Sequence, residues 1–280
     1  MKAAAAMCLV VLCAACAKQP AGVEIAGGAM GTQFSVKLTA TEADTARLRQ
    51  KIEASLADVE TMRSTYIAES EISRFNSSAS TAWQTVSKEF CVSVEAALAL
   101  SVLTDGSFDI TVGPLVNLWG FGPGEMVDEP PTDEAIGALL KTVGYEHLQA
   151  DCGKPALRKD IPDLYLDMSA FGKGFAADRI ADWLEDEGFL DYLVEIGGEM
   201  RLGGVTARGE KWAIGIEAPL VDQRRPYMVV RLTDSAVATS GDYRNYFEVD
   251  GKRYSHAIDT RTGRPVTHSL ASVTVVDSSG

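Results

Sequence analysis

The stretch Leu164-Tyr165-Leu166-Asp167-Met168-Ser169-Ala170-Phe171-Gly172-Lys173-Gly174-Phe175-Ala176-Ala177-Asp178 limits the fold more than any other part of the chain. Leu164 to Leu166 reads as a short apolar strand that ends in an acid, turns through small residues and glycines, and enters a helix. Glycines let a backbone approach a ligand closely, and a helix start presents N–H groups with a partial positive charge. Lys173 adds a full charge. The stretch suits an anion such as a phosphate, and it equally suits a tight packing junction. Its company elsewhere in the chain has to separate the two.

A chain of 280 residues holds one large domain or two small ones, and 46% hydrophobic with 23% charged residues suits a globular core. The formal net charge of −13 speaks against nucleic acid as a partner, because phosphate backbones need basic patches. Met1-Lys2 and the apolar run Ala3 to Ala15, too short to span a bilayer, read as a secretory leader. Leu12-Cys13-Ala14-Ala15-Cys16 has the form of a lipoprotein signal with Cys16 lipidated; an ordinary signal peptide cut nearby is the alternative. The chain then divides into a signal peptide over 1–16, a tether over 17–22 and a folded domain over 23–280. Cys8, Cys13 and Cys16 fall in the leader, which leaves Cys91 and Cys152 to pair in an oxidising compartment or to stay as two buried thiols.

Val23 to Ala40 suggests two strands around Gly27-Gly28. Thr41 is a candidate cap for a helix with Leu48, Ile52, Leu56 and Val59 on its buried face, and Ser87 opens a second with Phe90, Val94, Leu98 and Val102. Ser107 to Val112 reads as a strand, Gly113 to Pro123 as an aromatic, glycine-rich loop, and Glu125 to Pro131 as an exposed acidic loop. Thr132 opens a helix that Gly144 closes, and Gly188 stops the helix after the anion-like turn. Strands are expected at Tyr192 to Ile196, Trp212 to Glu217, Tyr227 to Leu232, Ala236 to Thr239 and Ala271 to Val276, with a hairpin turn at Val249-Asp250-Gly251-Lys252. Helices early and antiparallel strands late predict an α+β fold.

Four further clusters carry possible chemistry. Tyr66, beside Ser64 and Thr65, either stacks on a planar ring or packs as a helix-end aromatic. Trp119 and Phe121 stand in the glycine-rich loop, lining a site or packing that loop. Glu195-Ile196-Gly197-Gly198-Glu199 suits close backbone contact with a ligand, or a plain hairpin turn. In the fourth, His256 and Asp259 lie three apart, so the carboxylate could orient the imidazole for acid/base work, and Arg244 could clamp a phosphate; a hairpin with a surface histidine is the bland alternative. Ser240 lacks a Gly-x-Ser-x-Gly elbow, zinc spacing is absent, and His147 and His268 are read as structural.

Taken in order, these pieces resemble the FAD:protein FMN transferase family, also called ApbE. The matching motifs are Met30-Gly31-Thr32, Ser64-Thr65-Tyr66, Glu71 to Asn76, Phe108 to Pro114, Leu118 to Gly122, Asp167 to Asp178, Ile196 to Glu199, and Ser255 to Asp259 with Thr262-Gly263. The resemblance implies a T-fold-like, two-lobed α+β domain with mixed and antiparallel sheets flanked by helices and FAD in a cleft between the lobes. It implies a Mg²⁺-dependent transfer of FMN from FAD to a Thr or Ser hydroxyl of an acceptor protein, with release of AMP. The acceptor would be a subunit of a membrane redox complex, and the enzyme an exported lipoprotein on the periplasmic side of a bacterial membrane. Met30 and Tyr66 would contact the flavin nucleotide, Trp119 and Phe121 line the cleft, Lys173 and Asp178 serve the phosphate and ribose side, and Glu195 and Gly198 form a wall. His256 would be the acid/base group, positioned by Asp259.

The family pattern continues past the last strand into a helix with Asp and Thr four residues apart, which hold the metal with a backbone carbonyl near Ala170. Here the sequence ends Asp277-Ser278-Ser279-Gly280, so that Asp and Thr are missing and a C-terminal truncation is expected, with weak Mg²⁺ binding and poor turnover. Two other activities use the same residues differently: a Mg²⁺-dependent FAD pyrophosphatase that gives FMN and AMP, and a flavin-binding lipoprotein without catalysis. Both the transferase and the pyrophosphatase require the glycine–lysine bend and His256 to share one pocket.

Overall fold

The computed structural model describes residues 22–39, 45–124, 127 and 129–280. The leader, Thr41 and most of the charge in the acidic loop lie outside them. The chain opens with a hairpin of β1 (Gly22–Ala29) and β2 (Thr32–Thr39). Its turn is Met30-Gly31, both at positive φ, and not Gly27-Gly28 as expected. Gly27 is instead inside β1 because the Phe34 ring lies where a Cβ would project.

Helix α1 (Thr45–Arg63) buries Leu48, Ile52, Leu56 and Val59 as its periodicity predicts. Ser70 caps α2 (Glu71–Ser77) by accepting from Ser73 N, and Ser87 caps α3 (Lys88–Leu103) by accepting from Phe90 N. β3 (Gln84–Thr85) lies between them. Val102 is 66% exposed and not a core residue of α3. Ser107 to Val112 forms turns and no strand: Asp109 accepts from Thr111 N and Tyr145 N, which holds its backbone away from any ladder. The expected loop after it contains the short helix α4 (Gly113–Leu118), with proline in its first turn. Thr132 caps α5 (Asp133–Leu139), and β4 (Leu148–Asp151) and β5 (Ala156–Lys159) make a hairpin that sequence reading did not find.

The long helix α6 (Ser169–Asp186) precedes β6 (Tyr192–Ile196) and β7 (Glu199–Gly203). The hairpin β8 (Trp212–Glu217) and β9 (Pro226–Leu232) leads to β10 (Ser235–Gly241). Then come β11 (Tyr246–Val249), β12 (Lys252–Ser255), β13 (Ile258–Asp259), β14 (Arg264–Pro265) and β15 (Ser272–Asp277).

Six strands form one antiparallel sheet in the order β1-β2-β6-β7-β10-β15. Strand alternation divides its residues between two faces. Phe34, Val36, Tyr192, Val194 and Ile196 meet α1 and α6 in the principal core. Leu193, Leu202 and Val237 point the other way, onto Ile214 of the β8–β9 hairpin. A second core joins α2, α3, β4 and β5 to Leu164, Leu166 and Met168, and a third gathers Leu115, Trp119 and Ile136. Among the described residues no helix is long and apolar enough to cross a membrane.

Cys91 of α3 and Cys152 of the β4–β5 turn form a disulfide across 61 residues. In the chain-entropy account, closing a loop of that length stabilises by about 4 kcal/mol. Replacing both cysteines by alanine is expected to lower the free energy of unfolding by about that amount, read from urea denaturation under non-reducing conditions.

Candidate active site

Leu164 to Leu166, expected as a strand, is extended but pairs with no strand. Side chains do the pairing. Asn76 accepts from Leu166 N at 2.8 Å and donates to Leu166 O at 2.9 Å, as a neighbouring strand would. Asp167 N donates to Ile110 O, and the buried Lys159 donates to Leu164 O. Asp167 then accepts from the N–H of Ser169, the first residue of α6.

Four of the expected site residues gather at this end of α6. Lys173 Nζ lies 2.8–2.9 Å from the Glu199 carboxylate. Gly197, at φ 56°, has no room for a Cβ beside Thr32 and Lys173, and Gly198 N donates to Glu195 Oε1. Met30 sits at φ 53°, donates its N–H to Glu60 Oε1, and lays its methyl against Gly172. Met30, Lys173, Glu195 and Gly198 therefore border one surface made by two hairpin turns and a helix start. Gly174 is excluded from it: Gly280 packs where its Cβ would be.

A second group surrounds the imidazole. His256 N and Nδ1 both face Asn245 O, at 3.1 and 3.2 Å. A carbonyl only accepts, so Nδ1 carries the proton and the lone pair of neutral His256 is on Nε2. The Phe121 ring meets His256 edge-on at 6.2 Å. Trp119 does not line a cleft: it is 1% exposed, donates Nε1–H to Gly263 O and stacks on Tyr254. Tyr165 is half-buried, its ring lies where a Cβ on Gly113 would project, and burial raises its pKa above the usual tyrosine value. Tyr66, next to Thr65, is 67% exposed, so it is not packed on the core.

Three further expected roles are not met by the geometry. Asp259 turns away from His256 and accepts from Arg261, whose hydrogen bonds hold the carboxyl below the usual carboxylate range. Arg244 is engaged with Glu217 at 2.6 Å and is not free to clamp a phosphate there. Asp178 is on another face of α6 from Lys173, where it accepts from Gly280 N and faces Arg201. Burial pushes the Asp178 carboxyl above its ordinary value, and the Gly280 N–H and Arg201 oppose that. A hollow of about 490 Å³ beside β13 includes Asp259, Arg261 and His268 but neither Lys173 nor His256. The shared pocket expected from the sequence is neither this hollow nor the one beside the β1–β2 edge, since neither contains Lys173 or His256.

A sequence model of the ApbE family matches residues 30–280. The chain belongs to the ApbE family. It is 46% identical over 276 residues to a FAD:protein FMN transferase of Vibrio cholerae, covering 98% of this chain and 82% of that one. Against the FAD:protein FMN transferase of Salmonella typhimurium the identity is 43% over 260 residues, covering 92% and 74%. The fold superposes on flavin transferase ApbE from Vibrio cholerae with a TM-score of 0.85 at 44% identity, over 92% of this chain and 82% of that chain. For the flavinyl transferase ApbE of Pseudomonas stutzeri, apo form, the TM-score is 0.82 at 38% identity, over 92% and 80%. The α+β architecture with its antiparallel sheet is thus the ApbE fold.

Glu60, Asn76, Glu199 and Asn245 hold residues of this candidate site and were not singled out from sequence. Asn76 and Glu199 fall inside motifs that were, but nothing in spacing says which side chain replaces a strand. The described residues contain no group of three or more His, Cys, Asp or Glu that could hold a metal ion. The Ala170 carbonyl alone does not fit a Mg²⁺ site. Titrating Mg²⁺ into the 280-residue chain with FAD present is expected to give weak binding by calorimetry; tight binding at one site would contradict this. In a nitrogen-15 spectrum the His256 ring is expected as the Nδ1–H tautomer, and Asp259→Asn is expected to leave it so.

Proposed function

We propose that this protein transfers FMN from FAD to a serine or threonine hydroxyl of an acceptor protein. The acceptor oxygen attacks the phosphorus on the flavin side of the pyrophosphate. A new phosphoester bond forms, the bond to the bridging oxygen breaks, and AMP leaves with that oxygen. The observation that carries the reading is the free Nε2 of His256, left as a base by the Asn245 carbonyl on Nδ1. It supports a proton path from the acceptor hydroxyl to the imidazole. Identity to FAD:protein FMN transferases over nearly the whole chain supports the substrate and the leaving group.

The remaining work is positioning and charge neutralisation, because a pyrophosphate repels a nucleophile. Lys173, now held by Glu199, supplies the cation at the helix start. Met30 and the exposed Tyr66 ring supply apolar and stacking contact for a flavin. The acceptor in this reading is a flavin-carrying subunit of a membrane redox complex.

Export and lipid anchoring at Cys16 to the periplasmic face of a bacterial membrane belong to the same proposal. The leader sequence supports them, and so does the Cys91–Cys152 disulfide, which suits an oxidising compartment.

With FAD and a purified acceptor domain, the expected product is the acceptor carrying covalent FMN, seen by mass spectrometry. His256→Ala is expected to abolish the adduct while FAD affinity changes less than about threefold, under 1 kcal/mol. Lys173→Met is expected to weaken FAD binding at least tenfold, on the order of 1.4 kcal/mol. Free FMN without an adduct would instead assign a pyrophosphatase, and FAD binding without AMP release a non-catalytic flavin carrier.

A further inference from the structure

The β8–β9 hairpin lies on the sheet with alternate residues inward. Trp212, Ile214, Val230 and Leu232 join the core there. The opposite residues face out: Ala213 and Gly215 on β8, and Tyr227, Val229 and Arg231 on β9, are all exposed. Tyr227 is 76% exposed and Val229 57%. β9 pairs only with β8, so the backbone groups along its other edge have no strand partner among the described residues. Natural edges are usually blunted by shortness, proline or inward charge. This one runs seven residues from Pro226 with apolar side chains at its centre.

Its charge is also unlike the rest of the molecule. In a chain of net charge −13, Arg224, Arg225 and Arg231 flank Tyr227-Met228-Val229, against two acids, Asp222 and Asp234. None of the three arginines makes an ion pair among the described residues. The hairpin is also tied to the segment that holds the imidazole. Glu217, the last residue of β8, accepts from Arg244 at 2.6 Å and from the Tyr243 hydroxyl at 3.4 Å, and Asn245 next in sequence holds His256.

We propose that β9 is the docking strand for the protein substrate, taking an extended acidic segment of the acceptor as a third strand of the hairpin. This rests on the transferase reading above. The unpaired backbone edge calls for hydrogen-bonding groups, which lipid chains cannot supply. A second copy of β9 would set arginines against arginines, and like charges across a strand pair destabilise it. An acidic strand satisfies both the edge and the arginines. Arg225 and Arg231 are six residues apart, about 20 Å along a strand, so the partner's acids should be spaced to match. The negative charge of the remaining surface would repel such a segment elsewhere, which favours this one site.

The probe is the fluorescently labelled soluble domain of a redox-complex subunit that carries FMN on threonine. Its binding is read by anisotropy without FAD, and its flavinylation by mass spectrometry with FAD. For the wild type, raising salt from about 50 to 300 mM should weaken binding at least tenfold, since screening removes the arginine contribution. Arg225→Glu/Arg231→Glu and, separately, Tyr227→Ser should each raise KM for the acceptor at least tenfold with KM for FAD unchanged, and the charge-reversed protein should lose the salt dependence. Acceptor affinity unchanged in both variants overturns the proposal. So does a variant that keeps acceptor binding but loses self-association in sedimentation, or loses binding to vesicles containing phosphatidylglycerol. Salt-sensitive acceptor binding without any adduct would leave the docking strand standing and remove the transferase reading.

Discussion

A buried strand without a sheet holds the site together. Leu164, Leu166 and Met168 are at most 1% exposed, so their own backbone groups need partners within the protein. Each unpaired buried amide would cost about 1–3 kcal/mol. Asn76 makes both bonds a neighbouring strand would make to Leu166, and the Lys159 ammonium takes Leu164 O together with Phe75 O at the end of α2. Burial lowers the Lys159 pKa, and nearby Asp163 opposes that. A lowered cation pKa makes this lysine's contribution improve as pH rises through its folded value. The same clamp fixes where α6 begins, and therefore where Lys173 stands relative to the β6–β7 turn.

From that anchor the site extends as a chain of short-range contacts. Tyr165 lies within the clamped segment, and its ring lies where a Cβ on Gly113, at the start of α4, would project. In the same helix Asn117 meets Gly122, where any side chain would collide, and Phe121 then reaches the His256 ring. The glycines of this region thus serve contact between protein segments as much as contact with a ligand. Gly113 has the Tyr165 ring and Asp167 against it, and Gly174 has Gly280. A glycine-rich stretch read from sequence as a phosphate cradle is in part a place where chains cross.

The legible part of the sequence was what repeats. Four apolar residues at helical spacing located α1, Ser87 and Thr132 located two helix starts, and Asp250-Gly251 located the β11–β12 turn at positive φ. Single polar side chains with distant partners were not legible. Asp259 stands three residues from His256, yet Arg261 is closer to hand and fully charged, so the local pair forms and the imidazole goes to Asn245 O. Arg244 likewise had an unforeseen partner in Glu217, 27 residues away. Trp119 looked like a loop aromatic because α4 is too short to show periodicity; its indole is instead the centre of a small core. Order of motifs carried the family further than any one of them carried a role.

Arg63 shows how the helices beneath the site are locked. It ends α1, is 5% exposed, and none of its three guanidinium nitrogens has a hydrogen-bond partner among the described residues. Burial lowers its pKa to about 9, Glu89 raises it and Arg179 lowers it further, so the cation persists at neutral pH. Its compensation is the aromatic face of α6: the guanidinium carbon is 3.2 Å from the Phe175 ring centre and 5.7 Å from that of Phe171. A desolvated cation–π contact contributes about 2 kcal/mol, enough to offset part of the burial cost but not to replace an ion pair. Arg179, also on α6, adds bonds to Glu89 on α3 and Asp58 on α1. Phe171 and Phe175 bracket Lys173 in sequence, so the residues that lock α6 against α1 also fix the helix that presents its ammonium. The end of α1, three residues before Tyr66, is thereby packed on the turn of α6 that carries Lys173.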